Sequence, residues 1–206
     1  SGPEGQTVGH VAGATFRAGA SYGGLGGRGE GAPNAIYGSL TQPADLGSGG
    51  SYGGGTVPGG DGGGWIAIRA DAARVDGVLS AGGGQGQGND AGSGSGGTIA
   101  LDVATLAGVG AIQANGGGYQ VAGGGGRIAI RYQSMTFPQA QIECLGGQGN
   151  AADGGNGTVF LKQSAQAHGD LVVDGLGAVT PGDSTPIPGG YTFDNPKKKC
   201  VVDCSL

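Results

Sequence analysis

Charged side chains are scarce in this sequence. They make up 12% of its 206 residues, about half the usual share, and the formal net charge at pH 7 is −5. The one basic run, Lys197 to Lys199, stands near the end of the chain, so the sequence lacks the clustered positive charge that nucleic-acid binding requires. Long hydrophobic runs are also lacking, and without roughly 18 consecutive apolar residues no membrane span is expected.

Helix signals are missing too. No segment combines a 3.6-residue apolar period with capping residues, so essentially no α-helix is predicted. Glycine is abundant instead, with 54 residues, or about one in four against a usual share near 7%. No strict Gly-X-Y period is present, which excludes collagen. The apolar residues are clustered and include many β-branched ones, which argues against a disordered chain.

The middle of the chain contains a repeat. Four units share a Gly-Gly or Asn-Gly start, an alternating apolar run and a glycine-rich end. They are GGWIAIRADAARVDGVLSAGG (63–83), GGTIALDVATLAGVGAIQANGG (96–117), GGRIAIRYQSMTFPQAQIECLGG (125–147) and NGTVFLKQSAQAHGDLVVDG (156–175). Their first apolar anchors, Ile66, Ile99, Ile128 and Val159, are 33, 29 and 31 residues apart. A period of this length is typical of a solenoid or a repeat array.

Each unit predicts two strands. The anchor run alternates apolar and other residues with period two, which is the pattern of a β-strand. A second β-prone run follows after a short bend, at 75–80, 111–114, 141–144 and 171–173. Two strands and two bends per unit predict an all-β, parallel β-solenoid, in which equivalent residues of neighbouring coils lie about 4.8 Å apart.

The glycine-rich connections, 84–97, 116–126 and 146–157, require an explanation. Glycine tolerates positive φ and lets backbones approach closely, so we expect these segments at corners and packed against their counterparts in the next coil. A second layer of polyproline-II-like glycine strands is the alternative to a hollow β-helix.

Two rows of outward residues test the stacking. The residue after each anchor run is Arg69, Asp102, Arg131 or Lys162, so stacking in register places Asp102 between two arginines on an exposed face. The other outward row consists of small or apolar residues, which predicts a cover from the glycine segments or residues 1–60. Its members are Ala67, Ala100, Ala129 and Phe160.

The pattern GG-x-I-x-[IL]-x-x-x-x-[LV]-x-G-x-I-x-A-x-GG, clearest in 96–117 and 63–83, resembles a known class of repeats. It is similar to the glycine-punctuated β-helix repeats of secreted and cell-surface proteins, of the filamentous-haemagglutinin-like adhesin or autotransporter-passenger type. YGSLTQPADLGSGG (37–50) together with GGRIAIRY also looks like a glycine-rich extracellular repeat module of very large proteins. The resemblance covers roughly residues 20–175 and implies an extracellular or cell-surface location.

The repeats divide the chain into four parts. Residues 1–62 are expected to form a glycine-rich N-terminal coil or cap, 63–175 the solenoid, 176–190 a Pro/Gly linker and 191–206 a β-prone tail. The tail can cap its own solenoid or add a strand to a neighbouring subunit, and we expect the second, which gives filaments. The chain starts at Ser1 without an initiator methionine or an apolar signal segment, which predicts a processed or recombinant form.

Residues with metal or thiol chemistry are few. Cys144 falls at an apolar strand position and is expected to be a buried, inert thiol. Cys200 and Cys204 are disulfide candidates, although an extended strand would separate them by about 13 Å, so they need a turn or a partner chain. A second group consists of aspartates in equivalent glycine-rich connections, which are either Ca²⁺ ligands or, more commonly, solvated turn residues. These are Asp61, Asp90 and Asp153.

Signs of catalysis are thin as well. The two histidines, His10 and His168, are far apart in sequence, and no nucleophile elbow, zinc-protease motif or Walker lysine occurs. The predicted function is therefore a non-catalytic structural or adhesive module without a cofactor, which self-associates or binds a cell-surface glycan. Because β-helices also carry lyases and tail spikes, the alternative is a carbohydrate-active enzyme or a glycan-binding, tail-spike-like fragment. An ice-binding array is disfavoured because Thr98 and Thr158 alternate with Trp65 and Arg127.

Overall fold

The structure is a computed structural model, and it describes Gly5, Thr7 and residues 12–54, 57–174 and 185–199. Apart from two single 3-10 turns, Gly88–Asp90 and Gln139–Gln141, the regular elements of these residues are β-strands. The strands are β1 (Trp65–Arg74), β2 (Val78–Ser80), β3 (Thr98–Ala107), β4 (Ala111–Gln113), β5 (Tyr119–Val121), β6 (Arg127–Met135), β7 (Ile142–Glu143), β8 (Gly149–Ala152), β9 (Thr158–Gln163), β10 (Asp170–Asp174) and β11 (Lys197–Lys199). The prediction of an all-β fold with almost no helix is confirmed.

The anchor runs form one sheet in the order β1-β3-β6-β9-β10-β11. Its first four strands are parallel and in the expected register, because the four anchors are direct neighbours, Ile66 beside Ile99, then Ile128, then Val159. A slip of one residue would turn every anchor to the other face. The period-two pattern therefore specifies this register.

A second, smaller sheet, β2-β4-β7, holds the second runs of the first three units. Between the two sheets lies the hydrophobic core, in which Ile99, Ile112, Ile128 and Ile130 have no exposed surface. The stack therefore consists of three two-stranded coils and the first strand of a fourth. We call the strands β1, β3, β6 and β9 together with this second sheet the coil core.

The fourth unit departs from the prediction. Its second run, expected at 171–173, lies in β10, which pairs antiparallel with β9 in the main sheet rather than stacking on β7. The chain reverses through Gly169, whose φ of 91° suits glycine. Beyond it, β11 pairs parallel with β10, and the Phe193 ring lies 6.3 Å from the Phe160 ring. The tail thus covers the end of its own sheet.

The glycine-rich segments form a second body beside the coil core. We call residues 12–54, 57–64, 81–97, 114–126 and 144–157 the glycine bundle; much of it has no strand assignment. Over 92–97, successive N–H groups donate to three neighbouring segments in rotation and return to the first after three residues. The acceptors are the carbonyls of Ser51, Val121, Gly84, Ser48, Gly124 and Ala81, at 2.8–3.0 Å. Three residues per turn is the geometry of polyproline II, so the second layer that the sequence offered as an alternative is present.

Most glycines of the bundle are needed because two backbones approach each other closely there. Only a few are needed because φ is positive. Among the described residues only Gly38, Gly88, Gly108, Gly169 and Gly190 combine glycine with φ in the left-handed region, so the expectation that corners require positive φ holds for few of them. At Gly124 the reason is space, since a Cβ there would overlap the carbonyl oxygen of Gly24. Side chains are excluded because the backbones bond directly to one another.

The N-terminal residues belong to the bundle and form no solenoid coil of their own. The described part of 1–62 contains no strand. Its segment 34–46 lies on the outer face of the main sheet, the face opposite the core, where the Asp45 carbonyl accepts a hydrogen bond from Thr98 Oγ1 at 2.7 Å. Ala129 beneath this layer has no exposed surface, whereas Ala67 on β1 is exposed. The predicted cover therefore exists but does not reach the first strand.

Candidate functional site

The outer face of the main sheet has an open groove where the strands bend. Along β3, every second residue from Ile99 to Val103 is buried on the core side. The next buried residue is Leu106, three positions later instead of two. The pairing of β1, β3 and β6 is interrupted at the same level, where Asp71, Ala104 and Gln133 have no paired partner in the register. These three residues line a depression of about 580 Å³ that crosses four strands. The groove therefore coincides with the interruption in the regular strand pattern.

Charged residues from all four parallel strands line this groove. Arg69, Asp102, Arg131 and Lys162 lie side by side in register, so the predicted charge row is confirmed. Arg69 Nε lies 3.8 Å from Asp102 Oδ2, and the two side chains are 89% and 58% exposed. An exposed pair of this kind contributes about 0–1 kcal/mol. Arg69 is therefore available to a ligand at little cost in stability.

The other two cations are held more firmly. Arg131 Nη2 donates to the carbonyl of Thr41 at 2.5 Å, and its guanidinium lies 5.7 Å from the centre of the Phe160 ring. Lys162 Nζ donates to the carbonyl of Ala167 at 2.8 Å. The groove thus has a fixed positive side at β6 and β9 and a mobile positive side chain at β1.

Tyr132 borders the groove, but it has the strand parity of Ile128 and Ile130 and packs against the hydrophobic core on the other face of the sheet. Its ring is half-buried, and burial, with a smaller contribution from Asp170, raises the pKa of its phenol. The hydroxyl therefore stays protonated over the physiological range and can both donate and accept hydrogen bonds. The binding chemistry of the groove therefore lies in its charged side chains rather than in an aromatic ring.

A second polar cluster joins the glycine bundle to the sheet, and little in the sequence indicated it. Tyr22, Thr98, Arg127 and Thr158 are fully or almost fully buried. Arg127 Nη1 donates to Thr158 Oγ1 at 3.0 Å, and Nε donates to the carbonyl of Tyr37. Burial lowers the pKa of Arg127. The only signal in the sequence was the mixed row of Trp65, Thr98, Arg127 and Thr158. Both threonines are buried, so the row is not an exposed threonine array.

The aspartates considered for Ca²⁺ are not brought together. Asp90 lies 3.3 Å from Arg17 Nη2, and Asp153 Oδ1 accepts the Gly149 N–H at 2.8 Å. The Asp61 carbonyl accepts the Gly84 N–H. In the described ranges no group of three or more His, Cys, Asp or Glu could hold a metal ion. Each aspartate has a local role in the bundle.

The cysteines separate into two cases. Cys144 is buried, its Sγ lies 3.4 Å from the Thr158 carbonyl, and burial raises the pKa of its thiol, so the prediction of a buried thiol is confirmed. The disulfide candidates Cys200 and Cys204 lie outside the described residues. Of the two histidines, His10 is also outside them, and His168 is exposed and contacts Asp194 through its backbone N–H.

Comparison with known proteins identified no relative. No family model, curated protein or solved structure matches the chain. Among the described residues, no helix has the length and hydropathy to cross a membrane.

Proposed function

We propose that this chain is a non-catalytic, extracellular adhesive module whose groove binds an extended polysaccharide bearing carboxylates. The observation that carries the proposal is the in-register row of Arg69, Arg131 and Lys162 across four parallel strands. Neighbouring strands are about 4.8 Å apart, so a linear polymer lying across them meets cations on β1, β6 and β9, with Asp102 of β3 between the first two. Guanidinium groups bind carboxylates with two parallel hydrogen bonds.

Charge and shape both favour this class of ligand. The groove has three cations against Asp71 and Asp102, in a chain with a net charge of −5. It is therefore a local positive site on an acidic protein, which concentrates anionic ligands there. The groove is open and crosses four strands, so an extended polymer can lie along it.

Adhesion fits the groove better than catalysis does. The groove is open, its most exposed cation is paired with Asp102, and neither Cys144 nor His168 lines it. The extracellular location rests on the resemblance of the repeats to those of secreted adhesins. The rigid stack behind the groove would hold the binding face in a fixed shape.

Binding of a carboxylated polysaccharide, polygalacturonate, and of a neutral one, dextran, tests the proposal by calorimetry. We expect polygalacturonate alone to bind, with an affinity that falls as salt rises because the contacts are ionic. Arg69→Ala and Lys162→Ala should each weaken binding by about three- to tenfold. Arg74→Ala is the matched control, since it removes an exposed charge from the same strand outside the groove.

Three results would contradict the proposal. Equal binding of dextran and polygalacturonate, or equal loss in Arg69→Ala and Arg74→Ala, would show that the charge row is not the ligand site. Shortening of the polysaccharide during incubation, abolished by Lys162→Ala, would show that the groove is catalytic and would favour the carbohydrate-active alternative.

A further inference from the structure

The two ends of the main sheet are finished differently. At one end, β10 and β11 fold over β9, and the terminal strand β11 consists of three consecutive lysines. An edge strand as short as this opposes pairing with another sheet. At the other end, β1 is the last strand and has no strand beside its free edge among the described residues. It is ten residues long and contains neither proline nor glycine.

The first coil is also less buried than those behind it. Ile66 and Ile68 are half-buried, whereas their neighbours Ile99 and Leu101 are at most 2% exposed. Trp65 is 52% exposed, and Val78 on β2 is 68% exposed. A Cβ at Gly64, just before β1, would meet nothing within 4 Å. Apolar side chains and backbone groups are therefore both open to a partner at this end.

The free edge has a defined set of backbone groups. Thr98 N–H donates to the Gly64 carbonyl at 2.9 Å, so Gly64 points towards β3. Because the direction alternates along a strand, Ile66 and Ile68 also point towards β3. The N–H and C=O groups of the intervening residues, at 65, 67 and 69, point away from the sheet and are free to pair.

This edge is complementary to itself. We propose that two copies of the chain pair antiparallel through residues 65–69, with Ala67 on the two-fold axis. In that register, Ile66 lies opposite the partner's Ile68 on the core side, where both lose their remaining exposure. Trp65 lies opposite the partner's Arg69 on the outer side, where the guanidinium can stack on the indole. Two backbone hydrogen bonds join the two Ala67 residues.

The arrangement limits assembly to two copies. Both copies use the same edge, so the interface is isologous and closes on itself. Among the described residues the opposite end offers no equivalent edge, since it finishes in β11, which is three residues long against ten in β1. The inference therefore replaces the filament expected from tail exchange with a closed dimer, and Arg69 is the residue that the dimer and the groove share.

Sedimentation velocity of the full chain at about 50 μM measures the assembly, because a Kd near 1 μM would leave most chains paired. We expect a dimer for the unaltered chain and a monomer for Ala67→Lys, which places two ammonium groups together at the axis. Ala72→Lys is the matched control, since Ala72 is exposed on the same strand outside the paired segment, and it should remain a dimer. Circular dichroism and thermal melting of each variant report whether the fold is intact.

A cross-link tests the register. Hydrogen-bonded antiparallel partners have Cα atoms about 5.5 Å apart, which is within the range of a disulfide. Ala67→Cys should therefore give a covalent dimer on mild oxidation, with mass spectrometry identifying a disulfide between the two substituted positions, whereas Ala72→Cys should not. A monomeric unaltered chain, a dimer that survives Ala67→Lys, or a dimer that Ala67→Cys fails to cross-link would each overturn the proposal.

Discussion

The coil core and the glycine bundle are two solutions to packing within one chain. In the core, side chains of Ile, Leu and Val fill the space between two sheets, and Ile128 has no exposed surface. At most of the glycines of the bundle there is no space for a Cβ, and the backbones hydrogen-bond directly to three neighbours. The core therefore loses stability when a side chain becomes smaller, and the bundle loses stability when one becomes larger.

The largest effect is expected from enlarging the bundle. In Gly124→Val the new Cβ overlaps the Gly24 carbonyl oxygen, and in Gly125→Val it overlaps that of Cys144. Since backbone on both sides must move and several hydrogen bonds break together, we expect a loss above about 4 kcal/mol, which few single substitutions reach. Thermal and urea unfolding measure it.

Gly77→Val is the matched control for these variants. A Cβ at Gly77 meets nothing within 4 Å, and this glycine is exposed. We expect a change of about 0.5 kcal/mol or less. Equal destabilisation at Gly77 and Gly124 would show that the bundle is not close-packed.

A smaller effect is expected from shrinking the core. Ile128→Ala removes a fully buried anchor and should cost about 2–5 kcal/mol. Ile66→Ala, the equivalent change in the half-buried first coil, should cost clearly less in the monomer. Urea unfolding of both variants, placed on the Ala67→Lys background to exclude pairing, measures the difference. No loss in Ile128→Ala would contradict the assigned core.

The same contrast explains what the sequence could predict. The register of the first four parallel strands was accessible because alternating apolar anchors such as Ile99 and Ile128 allow only one pairing with a buried face. The charge row at Asp102 follows from that register. The bundle's neighbours were not accessible, since glycine carries no side-chain pattern that distinguishes one segment from another.

Other features depend on contacts distant in sequence. The run at 171–173 has the same local pattern as the second strands before it, but the turn through Gly169 returns it antiparallel to β9. The groove was also not predicted, because the bend at Ala104 is seen only in the pairing of three strands.

The contact between the glycine bundle and the coil core is expected to give the smallest effect on stability, and this effect depends on pH. Tyr22 from the bundle lies under the sheet with no exposed surface, 2.6 Å from Thr98 Oγ1. The Thr98 hydroxyl donates its proton to the Asp45 carbonyl. In the bond between Tyr22 and Thr98, the tyrosine hydroxyl is therefore the donor. Burial raises the pKa of Tyr22 to about 12 from 10.0, against smaller lowering effects of Thr98 and Arg127.

Because the folded state holds this proton more tightly than the unfolded chain, stability is fully present below about pH 10 and is lost as pH rises towards 12. A shift of about two units corresponds to about 2–3 kcal/mol. Urea unfolding between pH 8 and pH 11 measures the loss, and Tyr22→Phe should show a shallower decline although it is less stable at pH 8. Tyr37, whose pKa burial also raises, accounts for the decline that remains in this variant. If stability fell equally steeply with pH in the presence and absence of the Tyr22 hydroxyl, this linkage would be wrong. The bundle and the coil core would then separate before the phenol ionises, and their contact would be the weakest in the molecule.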